Sequence, residues 1–361
     1  MAWTISEFET KLIRVRSFMQ TEGIPGILIT TQTNFLWLTG GRPYINSAVE
    51  KSCADLLITN DQVYLIANNI EGERLMAEEL ATLAIEKNFY NWWDNDGLSK
   101  SLQQITAGSR IASDRQMGVS FNRLRWSLLP EEQQRYEDTG KAAAEILAKV
   151  AMTIQPGSSE REIAQMIRQT ALDYAVEANV ALVAVDERTF QYRHPLPTDK
   201  RLKKYAMLVL SGQKYGLYAS ATRLVHFGKP PRDLQERFEK VLRVDGAYIG
   251  ATVPGTQMKD IFSSGRAAYA AAGFPNEWQY HHQGGMTGYN SREFRATGEN
   301  EERVQNGQAY AWNPTIAGVK SEDTILVKNN KPVVVTVAGE FPMVNVVCGD
   351  FVLQRPAILV R

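Results

Sequence analysis

The 361-residue sequence has only two cysteines, Cys53 and Cys348, which lie far apart and in no metal-ligand spacing. This scarcity argues against a disulfide scaffold, a zinc finger and a thioredoxin-like motif. No run of 18 apolar residues occurs, so the sequence predicts no hydrophobic membrane-spanning helix. The first residues include Glu7 and no apolar core, unlike a secretion signal. We therefore expect a cytoplasmic protein without a membrane partner.

An excess of one charge is also missing, because 40 Lys and Arg residues balance 40 Asp and Glu residues. Without a basic run, a general attraction to nucleic acid or to an anionic membrane has no source. Hydrophobic residues make up 44% and charged residues 22% of the chain, which excludes disordered and low-complexity classes. The partner that we expect is a small uncharged or zwitterionic substrate.

Helical and strand-like patterns alternate through the first 120 residues, which predicts a small α/β domain. The expected helices are 6–23, capped by Ser6, and 71–80, and the expected strands are 26–30, 54–59 and 63–66. Pro130 then opens a long helix that runs to Met152. We place the domain boundary near residue 126, which gives domains 1–126 and 127–361.

One phrase of the second domain occurs twice, 98 positions apart (254 minus 156). Pro156-Gly157-Ser158 is followed by Glu162-Ile163, and Pro254-Gly255-Thr256 by Asp260-Ile261. Each copy predicts a helix start, with the hydroxyl as the cap and the acid in the first turns. Two ordinary helix starts would explain this, but the matched register favours a duplicated α/β half with a site between the halves. The strands expected in their shared sheet are 206–210, 309–312, 324–327 and 333–337.

Histidine is rare: the chain has four, at 194, 226, 281 and 282. His281 and His282 precede a glycine-rich stretch, which lets backbone approach a ligand closely. His194 precedes Pro195 in a loop that prolines stiffen. An imidazole, with a pKa near ~6.5, can take and return a proton at neutral pH. These three positions are therefore the candidates for chemistry, whereas His226 is expected to be structural.

An ordered set of short motifs carries a family resemblance. The motifs are His194-Pro195, Gly216 with Thr222-Arg223, His281-His282-x-Gly-x-x-x-Gly, Asn313-Pro314 and Glu322-Asp323-Thr324. Their order from about residue 130 to 337 resembles the creatinase/prolidase/aminopeptidase P superfamily, and the first part is similar to the N-terminal domain of creatinase and prolidase. The resemblance implies an α/β two-domain protein. A small creatinase-like α/β domain would precede a pita-bread α+β domain with pseudo-twofold halves.

The peptidases of that superfamily hold two divalent metals with two aspartates, one histidine and two glutamates. The resemblance places these ligands at Ser211 (or Val209), Ser220, Gly285, Asn313 and Glu322, of which only the last is a carboxylate. Two adjacent divalent cations bring four positive charges, and hard cations need several oxygen ligands, usually with more than one carboxylate. We therefore expect no catalytic metal and no cofactor.

The resemblance also implies roles for the remaining site residues. His194 matches the histidine that moves protons in creatinase, His281 matches a second histidine that contacts substrate, and Arg292 stands where the superfamily has a further histidine. Glu322 either anchors a cationic substrate group or forms a buried ion pair with a nearby cation, Arg223, Arg292 or Lys320.

Other candidates are expected to line the pocket or to cover it. Ser211, Ser220 and Asn313 are expected as lining, and His282 either joins them or points into the core behind the sheet. In the first domain, residues 34–44 resemble the strand and loop that, in creatinase-like dimers, reach over the partner's active site, and the site candidates in this stretch are Arg42 and Tyr44. They would supply a carboxylate clamp and an aromatic lid, and Phe35 and Trp37 before them are expected as strand core.

The motifs and the resemblance leave three hypotheses about function. The leading hypothesis is a homodimeric, metal-independent hydrolase of the creatinase type that acts on a C–N bond of a small polar substrate, with His194 as general acid/base. The second is a non-catalytic pseudo-peptidase that binds a peptide or protein. The third is a metal-dependent Xaa-Pro dipeptidase or aminopeptidase, which the missing carboxylates contradict.

Overall fold

A computed structural model describes residues 3–348 and 350–361. The chain divides into two compact units, Met1–Trp126 and Ser127–Arg361. In the part of the chain that is described, no helix is both long and apolar enough to cross a bilayer.

The first unit is a five-stranded mixed sheet with helices. Its helices are α1 (Ile5–Glu22), α2 (Gln32–Thr39), α3 (Gly72–Arg74), α4 (Gly97–Thr106), α5 (Asp114–Met117) and α6 (Val119–Asn122), and its strands are β1 (Gly26–Thr31), β2 (Lys51–Thr59), β3 (Val63–Asn68), β4 (Glu86–Tyr90) and β5 (Ala112–Ser113). The sheet order is β4-β3-β2-β1-β5. A π-helical turn, Leu75–Glu79, continues α3 through the expected helix 71–80. The cap of α1 is Thr4 rather than Ser6, because Thr4 and Glu7 form a reciprocal capping box.

Phe35 and Trp37 lie in helix α2, so their assignment to a strand is wrong. The Thr31 side chain accepts a hydrogen bond from the Asn34 N–H at the start of this helix, and Gly40 ends it in the left-handed conformation. Both aromatic side chains are fully buried. A short run that is apolar on every side has neither helical nor strand periodicity, so the caps decide its structure.

Asp55 on β2 gives a pH-dependent prediction. Burial, with a smaller contribution from the Asp114 carboxylate, raises the pKa of Asp55 to about 6, and its Oδ1 has no hydrogen-bond partner among the described residues. Because the folded-state pKa lies above the unfolded one, ionised Asp55 lowers stability progressively from about pH 4 to pH 6 and fully above that. We expect Asp55→Asn to raise the free energy of unfolding by about 1–3 kcal/mol at pH 7.5.

Thermal and urea unfolding of the full chain at pH 7.5 and pH 4 would measure this effect. The gain is expected to be largely lost at pH 4, where Asp55 is protonated in the folded state and about half protonated in the unfolded state. A destabilised variant at pH 7.5, or an equal gain at both pH values, would contradict the assignment.

The second unit contains two larger sheets, two hairpins and five helices within its described residues. The helices are α7 (Pro130–Thr153), α8 (Glu160–Asp173), α9 (Arg188–Gln191), α10 (Arg232–Ala251) and α11 (Met258–Ala271). The strands are β6 (Glu177–Val185), β7 (Tyr205–Lys214), β8 (Leu217–His226), β9 (Gly284–Thr287), β10 (Phe294–Arg295), β11 (Ala309–Trp312), β12 (Thr315–Ile316), β13 (Val319–Lys320), β14 (Asp323–Lys328), β15 (Lys331–Val334), β16 (Met343–Cys348), β17 (Phe351–Pro356) and β18 (Leu359–Val360). The sheet orders are β18-β8-β7-β6 and β10-β9-β11-β14-β15. An apolar core formed by α7 and α8 packs against β6, β7 and β8.

The expected shared sheet is thus two sheets, which meet where β8 runs beside β14. The Thr324 hydroxyl donates to the Ser220 carbonyl (3.0 Å) and accepts from the Ser220 N–H (2.8 Å). The Thr222 N–H donates to the Glu322 carbonyl (3.0 Å). A threonine side chain therefore replaces part of the backbone ladder, and this junction places Ser220 against Thr324 and Thr222 against Glu322.

The repeated phrase forms the same local structure twice. Gly157 and Gly255 have φ values of +97° and +91°, a conformation that favours glycine. One arginine guanidinium donates to each glycine carbonyl at 2.7 Å, from Arg201 in the first copy and from Arg303 in the second. The caps differ from the expectation, because Ser159 rather than Ser158 caps α8 and no side chain caps α11. The matching arginine contacts support a duplicated half.

Candidate active site

Three of the four histidines come together in the second unit. His194 follows α9, whereas His281 and His282 lie between a 3₁₀ turn (Glu277–Tyr280) and β9. The Nε2 atoms of His194 and His281 are 3.0 Å apart. The ring centroid of His282 lies 5.5 Å from that of His194 and 4.7 Å from that of His281. Of the two orientations that the sequence left open for His282, the structure has the one that faces the other histidines.

Hydrogen bonding assigns the tautomers in this cluster. His281 Nδ1 lies 3.1 Å from the Asn313 carbonyl oxygen. Because a carbonyl only accepts, His281 carries its proton on Nδ1 and presents a lone pair at Nε2. In the neutral pair His194 therefore donates from Nε2, and its own lone pair is at Nδ1. His194 is solvent-exposed, whereas His281 is buried.

The environment keeps all three imidazoles neutral. Burial lowers the pKa of His194 and, more strongly, of His281, and Lys320 is the next largest cause for both. Burial and the Arg292 guanidinium lower the pKa of His282 to about 4. A neutral imidazole has a free lone pair at pH 7, so the cluster can accept protons or coordinate an electrophile.

Glu322 is engaged in the ion pair that the sequence offered as its alternative role. Its Oε2 lies 2.7 Å from Lys320 Nζ and accepts from the Thr222 hydroxyl at 2.7 Å, and its Oε1 lies 3.9 Å from Arg292 Nη2. Arg223 pairs with Asp323 instead, at 3.0 Å. Burial raises the pKa of Glu322, but Lys320, Arg292 and the Thr222 hydroxyl together outweigh it and hold the pKa below its usual range. This carboxylate is ionised and already neutralised.

The three residues that the sequence predicts as pocket lining, Ser211, Ser220 and Asn313, are buried. Ser211 on β7 and Ser220 on β8 face each other in register, with their hydroxyl oxygens 3.0 Å apart. Asn313 is also buried, and its side-chain Oδ1 has no partner among the described residues. Arg292 donates to the Ser291 carbonyl (2.6 Å), and burial lowers its pKa.

Gly285, where the resemblance places the ligand histidine, cannot carry a side chain in this backbone. It has φ of +146° in β9, and an added Cβ would lie 2.3 Å from the Phe294 carbonyl oxygen and 2.9 Å from the Ala296 nitrogen. Both obstacles are backbone atoms, so strand β10 would have to move. The glycine is therefore part of the local strand pairing.

The donor set does not fit the two divalent metals that the resemblance implies. It offers two hydroxyls, one amide and one carboxylate, and that carboxylate is 2.7 Å from a lysine ammonium. Hard cations need several anionic oxygens, and a buried ammonium beside the single carboxylate adds repulsion instead. These residues therefore supply no two-metal centre of the family type.

A cavity of about 340 Å³ opens beside the histidines. Its lining includes His281, His282, Arg295 and the aromatic side chains of Phe262 and Trp278, whose ring centroids are 5.7 Å apart. Sequence reasoning missed the last three residues. Arg295 and Trp278 lie within 14 residues of the histidine motif. This proximity in sequence is the one signal that could have predicted them as site residues.

Arg42 and Tyr44 belong to the first unit. Arg42 is exposed, and its Nη2 lies 2.7 Å from Glu79 Oε1, which raises its pKa. Tyr44 is partly buried. Their role over a partner's site stays a prediction, as does the homodimer itself.

Two family models match the chain. Metallopeptidase family M24 matches residues 134–329, more than half of the sequence, and the Creatinase/Prolidase N-terminal domain matches residues 11–152. The chain belongs to metallopeptidase family M24. The predicted superfamily and the two-domain pita-bread fold class are confirmed. The chain is thus a peptidase-family hydrolase by membership.

Curated proteins and solved structures agree with this family. The chain is 24% identical over 344 residues to an uncharacterized peptidase of Staphylococcus aureus (strain MW2), with 89% of this chain and 97% of the relative covered. It is similar to a Xaa-Pro dipeptidase from Bacillus anthracis (TM-score 0.79, 16% identity, 98% and 100% covered). It is also similar to the N-terminal domain of the FACT complex subunit SPT16 from Cicer arietinum (TM-score 0.72, 13% identity, 94% and 98% covered).

Proposed function

We propose that this chain hydrolyses an amide C–N bond in a small polar substrate that carries a carboxylate, without the two-metal centre of its family. The observation that carries the proposal is the hydrogen-bonded pair of imidazoles, the exposed His194 and the buried His281, of which His281 lines an open cavity, together with the neutralised carboxylate of Glu322. In a two-metal peptidase the metals activate the attacking water. In the proposed reaction a histidine activates it instead, by accepting its proton as a general base.

The proposed reaction uses His194 as the proton carrier. His194 Nδ1 takes a proton from water while the water oxygen bonds to the substrate carbonyl carbon. The resulting imidazolium keeps its Nε2–H bond to His281 Nε2, which Asn313 orients. His194 then returns the proton to the leaving nitrogen as the C–N bond breaks. A positioned histidine of this kind contributes about 10²–10⁴ in rate.

The charges around the cluster select the substrate. Lys320, Arg292 and Arg295 act on His194 as cations, and the Glu322 carboxylate opposes them. A net positive site favours a substrate with a carboxylate and disfavours a cationic group. Arg295 lines the cavity, and its guanidinium can bind a carboxylate through two hydrogen bonds.

A substrate panel tests the proposal. The chelator-treated protein is given N-acyl amino acids and dipeptides together with the same compounds as C-terminal amides. We expect kcat/KM for the free acids to exceed that for the amides at least tenfold, and Arg295→Gln to reduce this ratio. Turnover that appears only after Mn²⁺ or Co²⁺ is added would overturn the proposal and favour a metal-dependent Xaa-Pro peptidase.

The second candidate is a non-catalytic module that binds a peptide or protein. The fold similarity to the SPT16 domain favours it, because that domain belongs to a subunit of a larger complex. A binding module would retain its ligand after His194→Ala, whereas the hydrolase would lose turnover, so one variant separates the two functions.

A further inference from the structure

The nitrogen atoms of His194, His281 and His282 form a cluster that the proposed reaction uses only in part. One ring nitrogen from each residue lies within 4.8 Å of the others. His282 Nδ1 is buried and has no hydrogen-bond partner among residues 3–348 and 350–361. A buried polar atom without a hydrogen-bond partner lowers the stability of the folded protein. A bound ion at this atom would remove that cost.

We propose that these three imidazoles bind one divalent transition-metal ion of borderline softness, such as Zn²⁺ or Cu²⁺, and that the bound ion inhibits the hydrolysis. Imidazole nitrogen is a preferred ligand of such ions, whereas hard Mg²⁺ or Ca²⁺ would need oxygen ligands. None of the three residues occupies a position where the resemblance places a family metal ligand.

The geometry of the cluster is close to that of a coordination site. Ligand nitrogens at about 2.0–2.1 Å from a tetrahedral ion are about 3.3–3.4 Å apart. The Nε2 atoms of His194 and His281 are 3.0 Å apart, so little movement would admit the ion between them. His282 must close the remaining gap by a side-chain rotation, which would also give its buried Nδ1 a partner.

A second set of contacts prepares the ligands. The Asn313 carbonyl holds the proton of His281 at Nδ1, so the Nε2 lone pair, which accepts from His194 in the metal-free protein, could bind a metal instead. Metal-ligating histidines are usually held in this arrangement. Because His194 is exposed, we expect the fourth coordination position to be open to solvent. A three-histidine site with one open position results.

The surrounding charge weakens this site. Lys320, Arg292 and Arg295 repel a cation, Glu322 opposes them, and Arg193 is ion-paired with Glu277. We therefore expect an anion such as chloride or hydroxide at the open position. Because these charges repel every cation, only ions with high affinity for imidazole nitrogen should bind. We expect the affinity to decrease in the order Cu²⁺, Zn²⁺, Co²⁺.

The inhibitory effect rests on the proposed function. Binding of an ion at His194 Nε2 requires the His194 proton to move from Nε2 to Nδ1, so His194 no longer has a lone pair with which to accept a proton from water. The metal-free protein would thus be the active form.

Metal titration of the chelator-treated full-length chain tests the site. We expect one Co²⁺ per chain with the visible absorption of a tetrahedral ion, displaced by Zn²⁺. His281→Ala and His282→Ala are each expected to weaken binding at least tenfold. His226→Gln is the matched control, because His226 is buried, bonds the Gly228 carbonyl and lies outside the cluster; it should bind as the unmodified chain does. X-ray absorption of the Zn²⁺-loaded unmodified chain, expected to show three imidazole nitrogens, keeps the test valid if a variant misfolds.

Each other outcome counts against a defined part of the proposal. No bound ion, two ions per chain, or equal binding by the cluster variants would overturn the site, while leaving the hydrolysis untouched. One bound ion without inhibition would keep the site and would instead overturn the general-base role of His194.

Discussion

His194→Ala is expected to lower kcat/KM for hydrolysis of a carboxylate-bearing amide by about 10²–10⁴-fold, with no loss of fold. The physical reason is that His194 holds the one lone pair that the hydrogen bond between the two imidazoles leaves unused, at Nδ1, on an exposed side chain. Because the side chain is exposed, its removal leaves no buried cavity, and the free energy of unfolding should change little.

Three measurements make this prediction specific. Steady-state kinetics should show the loss mainly in kcat, since a proton carrier acts in the transition state. Added imidazole should restore part of the rate to His194→Ala, because a small base can enter the vacated space. His226→Gln, with its buried ring outside the cluster, should keep the rate. Full activity of His194→Ala would show that another group carries the proton.

Lys320→Met is expected to lower the free energy of unfolding by about 3–5 kcal/mol, because it leaves Glu322 ionised and buried without its main partner. Lys320 Nζ and Glu322 Oε2 are 2.7 Å apart, and both side chains are at most 4% exposed. Arg292 at 3.9 Å compensates in part. Methionine has a similar length and volume, so the loss reports charge rather than packing.

The double variant Lys320→Met/Glu322→Gln is the control. The amide oxygen of the introduced glutamine can still accept from Thr222, and no carboxylate is left unpaired, so urea unfolding should show recovery of most of the lost stability. If Glu322 were a metal ligand, Lys320→Met would instead gain stability when Mn²⁺ is added. A Mn²⁺-dependent rise in the unfolding midpoint would therefore contradict the ion-pair role.

The elements that the sequence predicts well are those with strong periodicity or clear ends. Helix α1, helix α7 behind Pro130 and the two helices after the repeated phrase all form. The wrong predictions concern one short helix and the caps of two longer ones. Phe35 and Trp37 lie in a two-turn helix with no usable periodicity, and the caps Thr4 and Ser159 each lie beside a competing hydroxyl. Which of two neighbouring hydroxyl residues caps a helix depends on which one has the extended backbone conformation of an N-cap.

The composition of the site follows from the sequence by itself, since side-chain chemistry needs no coordinates. That Ser211, Ser220, Gly285 and Asn313 offer no carboxylate is a property of the chain, and so is the scarcity of histidine.

Only the tertiary structure decided which groups meet. His194 and His281 are 87 residues apart in sequence and 3.0 Å apart in space, Lys320 rather than Arg223 neutralises Glu322, and His282 faces the cluster. The physical reason is that residue type sets what a side chain can do, whereas the approach of β8 to β14 and the turn before β9 set the direction in which it points.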